Sequence, residues 1–185
     1  MLLIINTPSG NQPLGLKDFQ MDFWKDLHTD ESVEYTADRQ VGSTLLMSAY
    51  MINQADNIDS KFLYFAPNYM TLDHMLHQLT TICELSDIPF VVRPGKRSVK
   101  ICQSVITLAN GNNFSEDIFR GSRYDKIFID CSGHISFGAL ETIGNEAMLT
   151  NTPVKAVSSE TPVAFSKFFD VPVKTFSRPN DLPTV

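Results

Sequence analysis

Two strand-like stretches of this chain are apolar almost without interruption: Lys61-Phe62-Leu63-Tyr64-Phe65-Ala66, which stops at Pro67, and Lys126-Ile127-Phe128-Ile129-Asp130, which ends in an aspartate. Successive side chains of a strand point to opposite faces, so such a run needs cover on both sides. Strands of that kind belong to mainly parallel sheets flanked by helices. Val154 to Ser158 reads as another strand of the set, and Ser32 to Thr36 as a short one. Between them lie segments of helical character. Ser43 to Gln54 is apolar nearly all round, which marks a helix packed under a sheet. Thr71 is the expected N-cap of a helix to about Leu85, with a stripe at Leu72, Met75/Leu76, Leu79 and Ile82/Cys83. A further helix is expected from Phe137 to about Leu149. The fold class is therefore α/β, with a mainly parallel central sheet flanked by helices. Pro89 to Arg93, Val99 to Cys102 and Val105 to Leu108 read as strands with turns at Pro94-Gly95 and Asn110-Gly111, which predicts antiparallel additions.

The ends are less regular. Leu2 to Ile5 reads as a short buried strand and Asn6 to Gly15 as a loop. Leu16, Phe19, Phe23, Trp24 and Leu27 have helical spacing. Phe165 to Phe169 reads as a short helix before a proline-punctuated end. A length of 185 residues suits a single domain, 1–185. No apolar run is long enough to span a membrane, and Met1 to Ile5 lacks the features of a secretory signal. Cys83, Cys102 and Cys131 are odd in number and widely spaced, which fits a reducing, cytoplasmic location. A net charge of −6 gives no global attraction to nucleic acid, so any DNA contact would be local.

Four places carry candidate chemistry. The first is Asp38-Arg39-Gln40-Val41-Gly42-Ser43-Thr44, between a strand and a helix. A phosphate-binding loop needs an open backbone at a helix N-terminus, a lysine for the β/γ oxygens and a Ser/Thr for Mg²⁺. Gly42 supplies the open backbone and Thr44 the hydroxyl, but Ser43 stands where the lysine belongs. A plain strand-to-helix turn fits the same residues. The second is Asp130, at the end of a buried strand, where carboxylates commonly hold Mg²⁺ through water; a turn or N-cap aspartate fits as well. The third is Phe19-Gln20, able to stack on adenine and bond its amide edge, or to be part of an amphipathic helix. The fourth is Arg93, Lys96, Arg97 and Lys100 around the Pro94-Gly95 turn, suited to DNA backbone contact or to a solvated hairpin tip. His74 and His77, three apart, lack a third ligand in the sequence. Cys131 and His134 are sequence neighbours, which does not bring a nucleophile and base together in space.

Taken together these stretches resemble the ATPase domain of large terminase subunits, the DNA-packaging motors of tailed phages, whose P-loop fold is akin to RecA-type helicases. Leu16 to Lys25 resembles the adenine-contacting segment and Arg39 to Thr44 the phosphate loop. Phe62 to Pro67 resembles the strand and proline after the loop helix. Ile106-Thr107-Leu108-Ala109-Asn110-Gly111 resembles the apolar-x-Leu-x-Asn-Gly hairpin. Phe119-Arg120-Gly121 and Tyr124 to Asp130 resemble the Arg-Gly stretch and metal-binding strand. Val157-Ser158-Ser159-Glu160-Thr161-Pro162 resembles the segment that couples hydrolysis to movement. The resemblance covers about residues 14–162, leaves 163–185 as a C-terminal extension, and includes no nuclease domain.

The resemblance implies ATP and Mg²⁺ as cofactors, and the departures that follow leave no cofactor at all as the alternative. Phe19 and Gln20 would meet adenine, and Gln40, Gly42, Ser43 and Thr44 the phosphates. Thr44 and Asp130 would hold the metal, and Arg39 would stabilise γ-phosphate charge. The departures fall on the chemistry: Ser43 replaces the lysine, Asp38 the first serine of the loop and Cys131 the water-orienting glutamate. No lysine lies between Glu31 and Met51. Losing such a charge costs about 10²–10³ in rate. The expectation is a degenerate ATPase domain with weak or no hydrolysis, serving a phage as a binding or regulatory scaffold linked to DNA packaging or processing. Its partner would be a packaging component or a host protein, with no membrane involved. The alternative is a packaging-motor ATPase subunit whose site another chain completes.

Overall fold

A computed structural model describes residues 3–7, 10–38, 41–57, 59–158, 165–166 and 169–177. Arg39, Gln40 and the 159–164 segment lie outside the described residues.

Ten strands and four α-helices are described: β1 (Ile4–Thr7), β2 (Gly10–Pro13), α1 (Met21–Leu27), β3 (Val33–Ala37), α2 (Ser43–Asn57), β4 (Lys61–Ala66), α3 (Tyr69–Leu85), β5 (Phe90–Arg93), β6 (Ser98–Ile101), β7 (Ser104–Asn110), β8 (Lys126–Ile129), α4 (Phe137–Thr150), β9 (Val154–Ser158) and β10 (Val173–Phe176). Eight strands form one sheet in the order β10-β3-β9-β8-β4-β7-β6-β5. The pairs from β10 to β7 are parallel, and β7-β6 and β6-β5 are antiparallel. The expected mainly parallel sheet with antiparallel additions is present.

The unbroken apolar strands divide their side chains between two cores. Phe62, Tyr64 and Phe128 join α2 and α3 residues such as Met47, Met51, Met75 and Leu79 on one face. Leu63, Phe65, Ile127 and Ile129 join Leu140, Ile143 and Ala147 of α4 on the other. The sheet is thus covered on both sides, as its sequence requires. Phe169 lies flat on α4 at Gly144, where a Cβ would be 1.9 Å from the ring.

Three expectations are corrected. β1 pairs only with β2, in a separate hairpin, so part of the expected Asn6–Gly15 loop is a strand. The expected Leu16–Leu27 helix is a 3₁₀ turn at Asp18–Gln20 followed by the shorter α1. The N-cap of α3 is Asn68, whose side chain accepts the Thr71 N–H at 2.9 Å; Thr71 is inside the helix. The expected turn at Asn110-Gly111 is present, the Asn113 N–H bonding the Asn110 carbonyl at 3.1 Å, while β6 and β7 are joined by a further turn after Ile101, where Cys102 has a φ of 52°. Part of the expected Phe165–Phe169 helix lies outside the described residues, and β10 at the sheet edge was not foreseen.

Candidate nucleotide site at the strand ends

The parallel strands end on one side of the sheet, and the sequence motifs collect there. The chain enters α2 from β3, and Asp130 follows β8, with β9 lying between those two strands. Gly42 has a φ of 88°, and a Cβ on it would stand 3.1 Å from Gln20 Nε2. Glycine is therefore the residue this turn accepts without strain. Its carbonyl takes the Leu46 N–H at 2.9 Å, opening the helix. The N-terminal turn of α2 presents free amide N–H groups and the positive end of the helix dipole, an arrangement suited to anions.

Thr44 and Asp130, 86 residues apart, meet here: Thr44 Oγ1 donates to Asp130 Oδ2 at 2.7 Å. Asp130 is 3% exposed. The same Oδ2 accepts from Tyr64 Oη at 2.7 Å, and Oδ1 faces the Cys131 thiol at 3.7 Å. Burial, with Asp130 beside it, holds the Tyr64 hydroxyl well above its ordinary pKa, so it is a permanent donor. Thr44 in the first turn of α2 and Asp130 after β8 offer oxygen atoms of the kind that Mg²⁺ takes as ligands.

Beside the loop a cleft of about 240 Å³ is lined by Leu14, Lys17, Phe19, Gln20, Gly42 and Leu45. Gln20 anchors its wall: Nε2 donates to the Val41 carbonyl at 2.9 Å and Oε1 accepts from the Lys17 N–H at 3.0 Å. Phe19 is half-buried, its ring 6.0 Å from that of Phe176. Phe19, Gln20, Gly42, Ser43 and Thr44 are thus brought together, and Asp130 is joined to them through Thr44. Asp38 is exposed at the end of β3, its N–H bonded to the Phe176 carbonyl at 3.1 Å.

Other expected residues lie apart from the loop. Arg120 pairs with Asp117 at 2.9 Å on the surface. Arg93, Lys96 and Arg97 are exposed and Lys100 half-buried on the antiparallel end of the sheet. His74 and His77 gain no third ligand among the described residues. Burial and the adjoining Asp130 push the Cys131 thiol up to about 12, so it is protonated at neutral pH and unsuited to nucleophilic attack.

Two contributors have no signature in the sequence. Tyr64 reads as one more apolar strand residue, yet it braces Asp130. Glu34 of β3 is fully buried, accepting from Ser132 Oγ at 2.9 Å and from the Ser166 N–H at 2.6 Å. Val33, Tyr35 and Ala37 face the α2 core, so strand alternation turns Glu34 to the opposite side.

Solved structures give this arrangement a context. The large terminase of bacteriophage HK97 superposes with a TM-score of 0.70 at 13% identity, over 93% of this chain and 41% of that one. The fold is that of a large-terminase ATPase domain. The large terminase of a thermophilic bacteriophage follows at 0.67 and 10% identity, over 88% of this chain and 46% of its own, and it is also matched in complexes with ADP and ATP-gamma-S. The N-terminal domain of the DNA packaging ATPase from bacteriophage phi29 aligns at 0.61 and 16% identity, over 80% and 84% of the two chains. This chain spans about half the length of the first two of these terminases. No family model and no curated protein matches the sequence. Among the described residues no helix is long and apolar enough to cross a membrane.

Proposed function

We propose that this terminase-like domain binds Mg-ATP, hydrolyses it weakly or not at all, and serves a phage DNA-packaging or processing assembly as a binding or regulatory scaffold. The observation that supports the binding half is the Thr44–Asp130 contact beside the open Gly42 turn. The observation behind the catalytic half is Ser43 and Cys131 in place of a cation and a base. ATP would bring the phosphoanhydride and Mg²⁺ its charge neutralisation. Thr44 and Asp130 would hold the metal, the Gly42–Thr44 backbone would receive phosphate oxygens, and Phe19 and Gln20 would border the base. Arg39 is the proposed partner of the γ-phosphate. Partners would be a packaging component or a host protein.

The retention of Gln20, Thr44 and Asp130 favours a second reading, an ATPase subunit completed by a cation and a carboxylate from another chain. Calorimetric titration with Mg-ATP, alongside Ser43→Lys and Asp130→Ala, tests both. The expected result is weak binding that Asp130→Ala abolishes and that Ser43→Lys tightens about tenfold, the worth of one charge-assisted hydrogen bond. Absence of heat at millimolar nucleotide would end both readings. Hydrolysis that rises when a partner chain is added would select the second.

A further inference from the structure

We infer that β5, at the outer edge of the sheet, takes up an extended segment of a partner protein as an added strand, and that this segment alternates apolar and acidic residues. That partner is the one the scaffold reading requires, so the assignment rests on that reading. β5 ends the eight-stranded sheet, and among the described residues no strand pairs with its outer side. The Cys102 N–H bonds the Pro89 carbonyl at 3.3 Å, and in the same register Val91 faces Lys100 and Arg93 faces Ser98. Bonded pairs alternate along an antiparallel ladder, so Pro89, Val91 and Arg93 direct their backbone groups to β6. Phe90 and Val92 turn their N–H and C=O groups outward, where an added strand would pair with them.

The two faces of this edge differ. Phe90 and Val92 pair with Ile101 and Val99, which are buried in the core under α3, so their side chains share that face. There, between α3 and the antiparallel strands, lies a cleft of about 230 Å³ with an apolar floor of Leu72, Leu76, Val92, Pro94 and Leu108. Asp73, Arg93 and Arg97 border it, so a charged side chain entering it meets both signs, while an apolar one meets the aliphatic floor. On the opposite face Val91 is exposed, with Lys100 beside it on β6, and Arg93 follows by alternation at the end of β5. No Asp or Glu lies between Asp87 and Glu116 in the sequence, and beyond it Asp117 is paired with Arg120. A strand added to β5 would send alternate side chains to the two faces. Apolar ones would enter the cleft, and acidic ones would meet Arg93 and Lys100.

Outermost strands are commonly blunted by brevity, proline and charge. β5 has four residues, set between Pro89 and Pro94, and it carries Arg93. These features limit an added strand to a short one without closing the edge, because Phe90 and Val92 stay open between the prolines. Blunting also calls for no apolar cleft beside the edge. Main-chain pairing combined with a side-chain socket is the way extended peptides are bound at sheet edges.

The test pans a displayed random-peptide library against the full chain without nucleotide, so its failure is separate from a failure of the Mg-ATP titration. Enriched peptides should share alternating apolar and acidic positions. A selected peptide is then synthesised with a fluorescent label and its binding followed by anisotropy. Methylating one alternate set of its backbone amides should abolish binding, because those N–H groups face β5, while methylating the other set should change it by less than about threefold. Leu76→Glu, which puts a charge in the cleft, should weaken binding at least about tenfold. Arg93→Gln should weaken it about three- to fivefold, and less at high salt. Arg93 is exposed and the methylated peptides leave the protein untouched, so a folding defect in the Leu76 variant cannot imitate the result. No peptide enriched on the wild type, equal tolerance of both methylation sets, or displacement by duplex DNA as effective as by unlabelled peptide would each overturn the inference.

Discussion

Buried charge is used at both ends of the parallel strands, and in opposite ways. At the carboxyl ends Asp130 is held by two hydroxyls, those of Thr44 and Tyr64. Toward the amino ends, on the same face, stand Lys126 and Lys155, 4% and 1% exposed. Lys126 Nζ donates to the carbonyls of Leu27 at 2.6 Å and Thr29 at 2.9 Å and to Tyr50 Oη at 3.0 Å. Lys155 Nζ donates to Thr29 Oγ1 at 2.9 Å and the Glu31 carbonyl at 2.6 Å. The two ammonium groups clamp the loop between α1 and β3, through the carbonyls of Leu27, Thr29 and Glu31 and the Thr29 hydroxyl. Asp130 is held on one side by the buried Tyr64 hydroxyl and on the other by the hydroxyl of Thr44, half-buried in the first turn of α2. The difference separates a structural charge from one available for chemistry.

The largest effect should fall on the lysine end. Lys126→Met keeps the volume but leaves the Leu27 and Thr29 carbonyls without their donor. We expect a loss of about 2–4 kcal/mol in denaturant unfolding, the cost of leaving two buried carbonyls unsatisfied at about 1–3 kcal/mol each, offset in part by the charge no longer buried. A loss within about 0.5 kcal/mol would place Lys126 among surface substitutions and dissolve the contrast with Asp130.

The same end should impose a pH dependence. Burial lowers both amines to about 8, and Lys126 depresses Lys155 further. The unfolded chain keeps these protons up to the ordinary lysine value. It therefore binds more protons than the native state above about pH 8, and stability rises with pH there. Burial also raises the Cys83 and Cys131 thiols to about 12, from an ordinary 9.0. Above pH 9 the unfolded thiols ionise first, which erodes stability. The unfolding free energy should thus climb by about 1–2 kcal/mol between pH 8 and 9 and then level or fall. A profile flat from pH 7 to 9 would mean that the lysines keep ordinary acidity.

This contrast was only half visible in the sequence. β4 falls on the expected residues because a long apolar run stopped by proline admits one reading, and β9 because its short, valine-bearing run is bounded by Pro153. The Gly42-Ser43-Thr44 turn and Asp130 were legible for the same local reason. Lys126 and Lys155 were not: a lysine in a short strand reads as solvent-facing until the fold places a loop of carbonyls over it. Asn68 was passed over as a cap because α3 opens with Tyr69 and Met70, both exposed, so its apolar stripe begins later. β10 carries only Phe176 as a buried side chain, leaving an edge strand with no pattern to find. The order of strands, which sets Thr44 against Asp130, is a long-range property that no local pattern encodes.

The finest division lies within the Asp130 end itself. Thr44 and Tyr64 donate to the same oxygen at the same distance, 2.7 Å, so contact alone does not distinguish them. Their surroundings do. Tyr64 is fully buried in the core, while Thr44 is half-buried in the first turn of α2. Removing the Tyr64 hydroxyl leaves part of a buried carboxylate without a donor, at a depth where solvent does not replace it. Tyr64→Phe should therefore cost about 1–2 kcal/mol in unfolding and change Mg-ATP affinity little. Thr44→Val removes an oxygen at the rim of the loop, where solvent can substitute for it. It should cost less than about 1 kcal/mol yet abolish the Mg²⁺ dependence of nucleotide binding. Unfolding and calorimetry on the two variants decide the matter. Opposite rankings in the two assays would show that one carboxylate oxygen serves both packing and ligand binding. The same ranking in both would mean that Asp130 is a core residue at each contact, and the nucleotide reading would lose its metal site.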